Sequence, residues 1–192
     1  MASVSVIWEG YFRWVEKLKS CDVTANSVLV EAAGKKIIVD VPNVGEEREY
    51  LEALKKHGID PLTIETVVVT HEHPDHVGCL HLFPNAWYYG SGVRWKGARH
   101  EYWPGDRLEL APGVTIVKTP GHTPNDCSVF VETADGVVAM AGDLWVWTLD
   151  DPRNRIVNDK EKLRVSREMI AKTARWIIPG HGPRQESSKA VY

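Results

Sequence analysis

Three histidines and an aspartate fall within six residues, His71-Glu72-His73-Pro74-Asp75-His76. Along an extended backbone, side chains two apart leave on the same side, so His71 and His73 can grip one ion. A turn through Pro74 would swing Asp75 and His76 towards a second. Imidazole nitrogen combined with carboxylate oxygen suits zinc, iron or manganese. Three shorter segments repeat the same grammar: Thr119-Pro120-Gly121-His122, Ala141-Gly142-Asp143 and Pro179-Gly180-His181-Gly182. In each, an apolar run ends and a glycine precedes a single His or Asp. Glycine permits tight turning and close approach of the backbone, and strand ends are where α/β folds collect their chemistry. Any one segment could be a turn histidine or a capping aspartate. Four in one chain point to a metal centre.

The elements that would carry these groups can be read from periodicity. Residues 4–8 alternate weakly, as a strand does. Residues 26–31 and 35–40 are β-rich runs joined by Ala32-Ala33-Gly34, a hairpin signal. Residues 46–57 read as a helix with Tyr50, Leu51 and Leu54 on its apolar side and Gly58 as its stop. The β-branched run at 66–70 reads as a central strand covered on both faces. It feeds directly into the His71–His76 cluster, and a short helix is expected over 77–82. Further strands are expected at 86–89, 107–110, 114–118 and 176–178. A second hairpin spans 126–132 and 136–141 around Asp135-Gly136. The longest helical pattern, 159–174, carries Leu163, Arg167 and Ile170 at helical spacing. The polar tail, 185–192, is expected to be loose.

Composition narrows the class. The chain has 192 residues, 43% of them hydrophobic and 26% charged, which fits one domain over 1–192 with a real core. Three widely spaced cysteines without a CxxC argue against a disulfide scaffold or a cysteine-based zinc knot. A net charge of -3 disfavours non-specific nucleic-acid binding. No basic head with an apolar stretch opens the chain and no window of 18 apolar residues occurs. The expectation is a soluble protein of the cytoplasm or nucleus with no membrane partner.

His71-x-His73-x-Asp75-His76 followed by His122, Asp143 and His181 resembles, in order, the metal-binding sequence of the metallo-β-lactamase superfamily. The likeness is nearest to a branch associated with endoribonucleolytic trimming of histone pre-messenger RNA. Residues 69–78 with Leu82-Phe83-Pro84 carry it, with 119–122, 126–129, 138–143, Val146 and 178–183. The resemblance implies an α/β architecture, an αββα sandwich of two mixed sheets with helices on the outer faces. It implies two divalent ions per chain, zinc first, with iron or manganese as alternatives. His71, His73 and His122 would hold one ion, Asp75, His76 and His181 the other, and Asp143 would bridge them. Asp75, as a ligand with a spare oxygen, would also accept a proton from the attacking water. Asp40 stands where the family keeps an aspartate that supports the metal shell by orienting a histidine. Here Val41 and Pro42 replace the family's usual next two residues. Two ions, two carboxylates and a hydroxide leave a formal charge of about +1, attractive to an anionic or ester-type substrate.

The resemblance therefore implies a metal-dependent hydrolase, with a phosphodiesterase or endoribonuclease acting on RNA as the first reading. A hydrolase of small esters, thioesters, lactones or β-lactams is the second. An iron protein using the fold for oxygen chemistry and a non-catalytic binding module are the others. Arg94 and Lys96 beside a groove would favour the phosphodiester, and an apolar pocket around Trp145 the ester. Eight tryptophans are many for this length. Trp145, Trp147 and the basic segment 94–100 could serve a pocket, the core or a homodimer interface. Cys127 and Ser128 read as core.

Overall fold

A computed structural model of the chain describes residues 1–15, 20–45, 47–145 and 157–190. Fifteen strands are assigned: β1 (Ser3–Trp8), β2 (Tyr11–Val15), β3 (Ser20–Thr24), β4 (Ser27–Ala32), β5 (Lys35–Val39), β6 (Thr66–Val68), β7 (Trp87–Gly90), β8 (Val93–Lys96), β9 (Arg99–Tyr102), β10 (Arg107–Ala111), β11 (Val114–Lys118), β12 (Cys127–Thr133), β13 (Gly136–Met140), β14 (Trp176–Ile178) and β15 (Gln185–Glu186). Helix α1 covers Glu47–Lys56, the single turn α2 covers Pro74–Val77 and α3 covers Lys160–Thr173.

Seven strands form one sheet in the order β1-β4-β5-β6-β7-β8-β9, and six form a second, β10-β11-β12-β13-β14-β15. Both sheets are mixed. β5, β6 and β7 run parallel, as do β13 and β14, and the remaining neighbours are antiparallel. Strand alternation explains the layers. Val28, Val30, Ile37 and Val39 point inward and meet Val129, Val131, Val138 and Met140 of the other sheet. The residues between them point outward: Leu29 and Ile38 pack under Tyr50 and Leu54 of α1, and Phe130 and Ala139 under Leu163 and Ile170 of α3. The result is the αββα sandwich that the sequence led us to expect. No helix among the described residues is long and apolar enough to cross a membrane.

Several local expectations hold and some do not. Ala33 and Gly34 both take positive φ, 50° and 78°, so the first hairpin closes through a two-residue turn of the primed type. On α1, Leu51 is 37% exposed while Tyr50 and Leu54 are fully buried. The apolar face is narrower than the sequence suggested because one sheet face meets only one stripe of the helix. The segment 94–100 falls in the hairpin β8–β9. Trp95 stacks on Tyr88 with ring centroids 5.5 Å apart, and the Arg94 guanidinium is tied to Glu101. The expected loose tail at 185–192 is overturned as far as Ala190. Gln185 and Glu186 pair with β14, and Ala190 is buried against the α3 layer. Trp145 is core, packed with Leu144 and Leu163, and the Arg167 guanidinium lies 5.6 Å over its ring. Trp147 lies outside the described residues. Cys127 and Ser128 are buried, as expected.

Candidate metal centre

Each candidate donor follows the carboxyl end of a strand. β6 runs into Thr70-His71, and His73 then caps α2, whose first residue is Pro74. Proline suits that position because its missing N–H would have no partner there. The single turn carries Asp75 and His76 away from His71 and His73. His122 follows β11, Asp143 follows β13 and His181 follows β14.

The seven residues converge into two groups. His71, His73, His122 and Asp143 form one, and Asp75, His76, Asp143 and His181 the other. Within each, the donor atoms all lie within 4.8 Å of one another. His73 Nδ1 is 3.0 Å from both His71 Nε2 and His122 Nε2. Asp143 faces both groups. Its Oδ2 is 3.8 Å from His71 Nε2 and 3.5 Å from His122 Nε2, and its Oδ1 is 3.1 Å from both His76 Nε2 and His181 Nε2. Asp75 Oδ2 completes the second group, 3.4 Å from His181 Nε2. His73 and His181 are partly buried and the other five are buried, and the His181 side chain is only 5% exposed.

This arrangement fits divalent cations. His181 Nδ1 donates to the Thr24 carbonyl at 2.9 Å, which leaves Nε2 as a lone pair. That nitrogen is buried and makes no hydrogen bond, although Asp143 Oδ1 is close by. In the neutral ring this sets a nitrogen lone pair 3.1 Å from a carboxylate oxygen, the arrangement expected of two ligands of one ion. Separations near 3 Å also match the edges of a tetrahedron with donors about 2.0–2.1 Å from its centre. The backbone leaves the room required: a Cβ at Gly180 would collide with Asp143 Oδ1, and one at Gly142 would stand 2.7 Å from Thr70 Oγ1.

A family model described as the metallo-beta-lactamase superfamily matches residues 22–107. Metallo-beta-lactamase domain-containing protein 1 of Xenopus laevis is 35% identical over 189 residues, covering 94% of this chain and 80% of that protein. The chain belongs to the metallo-β-lactamase superfamily. On this scaffold the double donor cluster makes it a metal-dependent hydrolase. The N-acyl homoserine lactonase AttM of Azorhizobium caulinodans is 25% identical over 177 residues, covering 74% of this chain and 67% of that one. The solved structure of a quorum-quenching N-acyl homoserine lactone hydrolase superposes with a TM-score of 0.67 at 20% identity. The match covers 94% of this chain and 91% of that one, and shows the shared fold.

This superfamily member supports its donors through residues that bear none of the metal themselves. Asp40 takes a left-handed φ of 57°, a conformation costing a non-glycine residue roughly 1–2 kcal/mol. Three contacts offset that cost. Its Oδ1 accepts from the Thr70 amide at 2.7 Å, and its Oδ2 meets Thr70 Oγ1 at 2.7 Å and His76 Nδ1 at 2.8 Å. Asp40 thus lies against the ring nitrogen of His76 that faces away from the donor group. Sequence reasoning did not single out Thr70, whose Oγ1 also lies 3.2 Å from His71 Nδ1 and so touches both donor groups. It also passed over Asn26, which accepts from the Gly10 amide and donates to the carbonyls of Pro179 and Gly182, gripping the loop that carries His181. Asp126 steadies the His122 loop by accepting from the Thr123 amide and hydroxyl.

Burial sets the charge states. It holds His71 well below its ordinary range and His122 down at about 4, so both rings present lone pairs at neutral pH. Burial also opposes the charge on His76, but Asp40 and Asp143 outweigh it and lift His76 well above the usual value. The Asp143 carboxyl resists ionisation through burial, yet His76 and His181 hold it well below the carboxylate range.

Proposed function

We propose that this hydrolase cleaves a small carboxylic ester or lactone at the double donor cluster. The observation that carries this reading is the hairpin β2–β3. It sets Phe12 edge-on to His181, ring centroids 5.8 Å apart, and Trp14 edge-on to Phe12 at 5.2 Å. An aromatic wall beside the donors suits an apolar acyl group better than a string of phosphates. The sequence similarity to a lactonase supports the same substrate class. The RNA reading ranks second. Arg94 is committed to Glu101, and Lys96 lines a cleft at the strand starts, away from the donors.

His71, His73 and His122 with Asp143 Oδ2 would hold one ion, and Asp75, His76 and His181 with Asp143 Oδ1 the other. Zinc fits this nitrogen–oxygen set, with iron or manganese as alternatives. A bound ion pair supplies Lewis acidity at the scissile carbonyl and lowers the pKa of water. Asp143 fixes the spacing of the two groups. Asp75 takes the proton from the attacking water on a carboxylate oxygen and returns it to the departing alkoxide. Asp40 and Thr70 keep His76 and His71 in register, and Phe12 shields the reacting carbonyl from bulk water.

The test is a panel of an N-acyl homoserine lactone, a p-nitrophenyl ester and single-stranded RNA, run on protein with its ion content measured. We expect lactone or ester turnover. Asp75→Asn should slow it by about 100-fold when compared at equal ion content, restored with added metal where the weakened ligand set loses it. Cleavage of RNA alone would overturn the substrate class. Unchanged turnover in Asp75→Asn would remove Asp75 as the proton carrier.

A further inference from the structure

The donors occupy the carboxyl end of the parallel strands β5, β6 and β7, and a second concavity lies at the opposite end. Lys35, Thr66 and Trp87 begin those strands, roughly 15 Å from the metal loops at ~3.3 Å per residue. A cleft of about 670 Å³ opens there, with Lys35, Lys36, Lys96, Asn85, Glu65 and Trp87 among its lining. That is the size of a small-ligand site rather than a surface dimple.

Its charges are held in place. Lys35 Nζ donates to the Leu110 carbonyl at 3.3 Å, Lys36 Nζ to Gly58 at 3.1 Å and Lys96 Nζ to Asn85 at 2.6 Å. Each anchor comes from a different segment, and each uses one of three ammonium donors. Among the described residues, none of the three lysines has a carboxylate within ion-pair distance. Glu65 is the single acid in the lining. Glu101, on the adjoining hairpin, is already claimed by Arg94 and Arg99. Arg94, paired with Glu101, also lies 4.8 Å over the Trp87 ring and fixes that indole as one wall. Three lysines face a single carboxylate in this lining, an excess of like charge that works against folding, and this occurs in a chain whose net charge is -3. An arriving anion would relieve it.

We propose that this cleft binds a multivalent phosphate anion, either free pyrophosphate or the diphosphate tail of a nucleotide. A single phosphate is small for a cleft with three separated anchors, and linked phosphates can reach more than one of them. The site is independent of the metal centre and of the ester reading.

Equilibrium dialysis of labelled ADP against the metal-loaded protein tests this, with ion content measured before and after. We expect one saturable site whose affinity falls as salt rises. Lys35→Ala/Lys96→Ala should weaken it by at least about tenfold. Lys96→Gln, which keeps most of the stem and loses the charge, should weaken it without disturbing the fold. His122→Ala, checked to be folded, should leave it intact, since His122 lies at the opposite end of the strands. Pyrophosphate should displace ADP, and displacement as effective as by unlabelled ADP would identify the phosphates as the recognised part. The proposal is overturned by an absence of saturable binding, by binding that survives the double lysine variant, or by binding lost in His122→Ala. Displacement by adenosine but not by pyrophosphate would also overturn it.

Discussion

The hydroxyl of Thr70 stands between Asp40, His71 and His76, so a single oxygen helps to aim a donor in each group. Thr70→Val keeps the shape and removes the hydrogen bonds. Its apparent metal affinity should fall roughly 10–100-fold, whereas Thr70→Ser should stay close to wild type. Competition with a chromophoric chelator reads this without any substrate. Asp126 offers a test by pH. Burial pushes its carboxyl from 3.8 up to about 7 in spite of the Thr123 bonds. The metal-free folded chain therefore keeps a proton that the unfolded chain releases. Stability from this group is full below about pH 4 and is lost as pH rises through about 7. Asp126→Asn cannot titrate and should remove that slope, as urea midpoints of both proteins in chelator would reveal. The donors were legible in sequence because few side chains bind metal and seven of them follow apolar runs. Thr70 and Asn26 were not, since hydroxyl and amide residues also serve turns and caps throughout a chain. Only the fold sets Asn26 against carbonyls over 150 residues away.

Elements with a clean period were readable, and those made of mixed aromatic and charged residues were not. The β4–β5 hairpin announced itself through β-branched runs around Ala33-Gly34. Ala33 bears the left-handed φ that asparagine and glycine tolerate better. Ala33→Asn should stabilise the protein by up to about 1 kcal/mol, seen as a higher unfolding temperature with unchanged metal content. By contrast, β2 and β3 pair with each other outside both main sheets, and their exposed alternation in YFRWV and SCDVT buries little. β8 and β9 are placed by Trp95 stacking on Tyr88 of the expected strand 86–89 and by Arg94 across from Glu101, contacts that the mixed aromatic and charged run at 94–101 does not announce. β15 has only two residues, too short for a pattern, and owes its place to β14. The parallel register of β5, β6 and β7 has a different origin: it follows from α1 and α2 crossing between them.

Across the whole molecule the donors are divided between the sheets. His71, His73, Asp75 and His76 follow a strand of the first, and His122, Asp143 and His181 follow strands of the second. Ions that bind only the assembled chain must stabilise it, by about 2.7 kcal/mol per site at a hundred times Kd. Plasma mass spectrometry should find two ions per chain. A chelator should lower the unfolding temperature by roughly 5 °C or more. A chain that keeps its unfolding temperature after losing its ions would show that the halves do not depend on them. The grip of Asn26 on Pro179 and Gly182 also imposes an order in time. At roughly 5–20 residues per second, a ribosome delivers His181 on the order of ten seconds after His71. For that interval the early histidines are present and the second donor group is incomplete. An ion met during synthesis is held by a partial set and can leave again. Lasting occupancy begins only when the last loop is clasped, so the finished fold rather than the growing chain selects its metal.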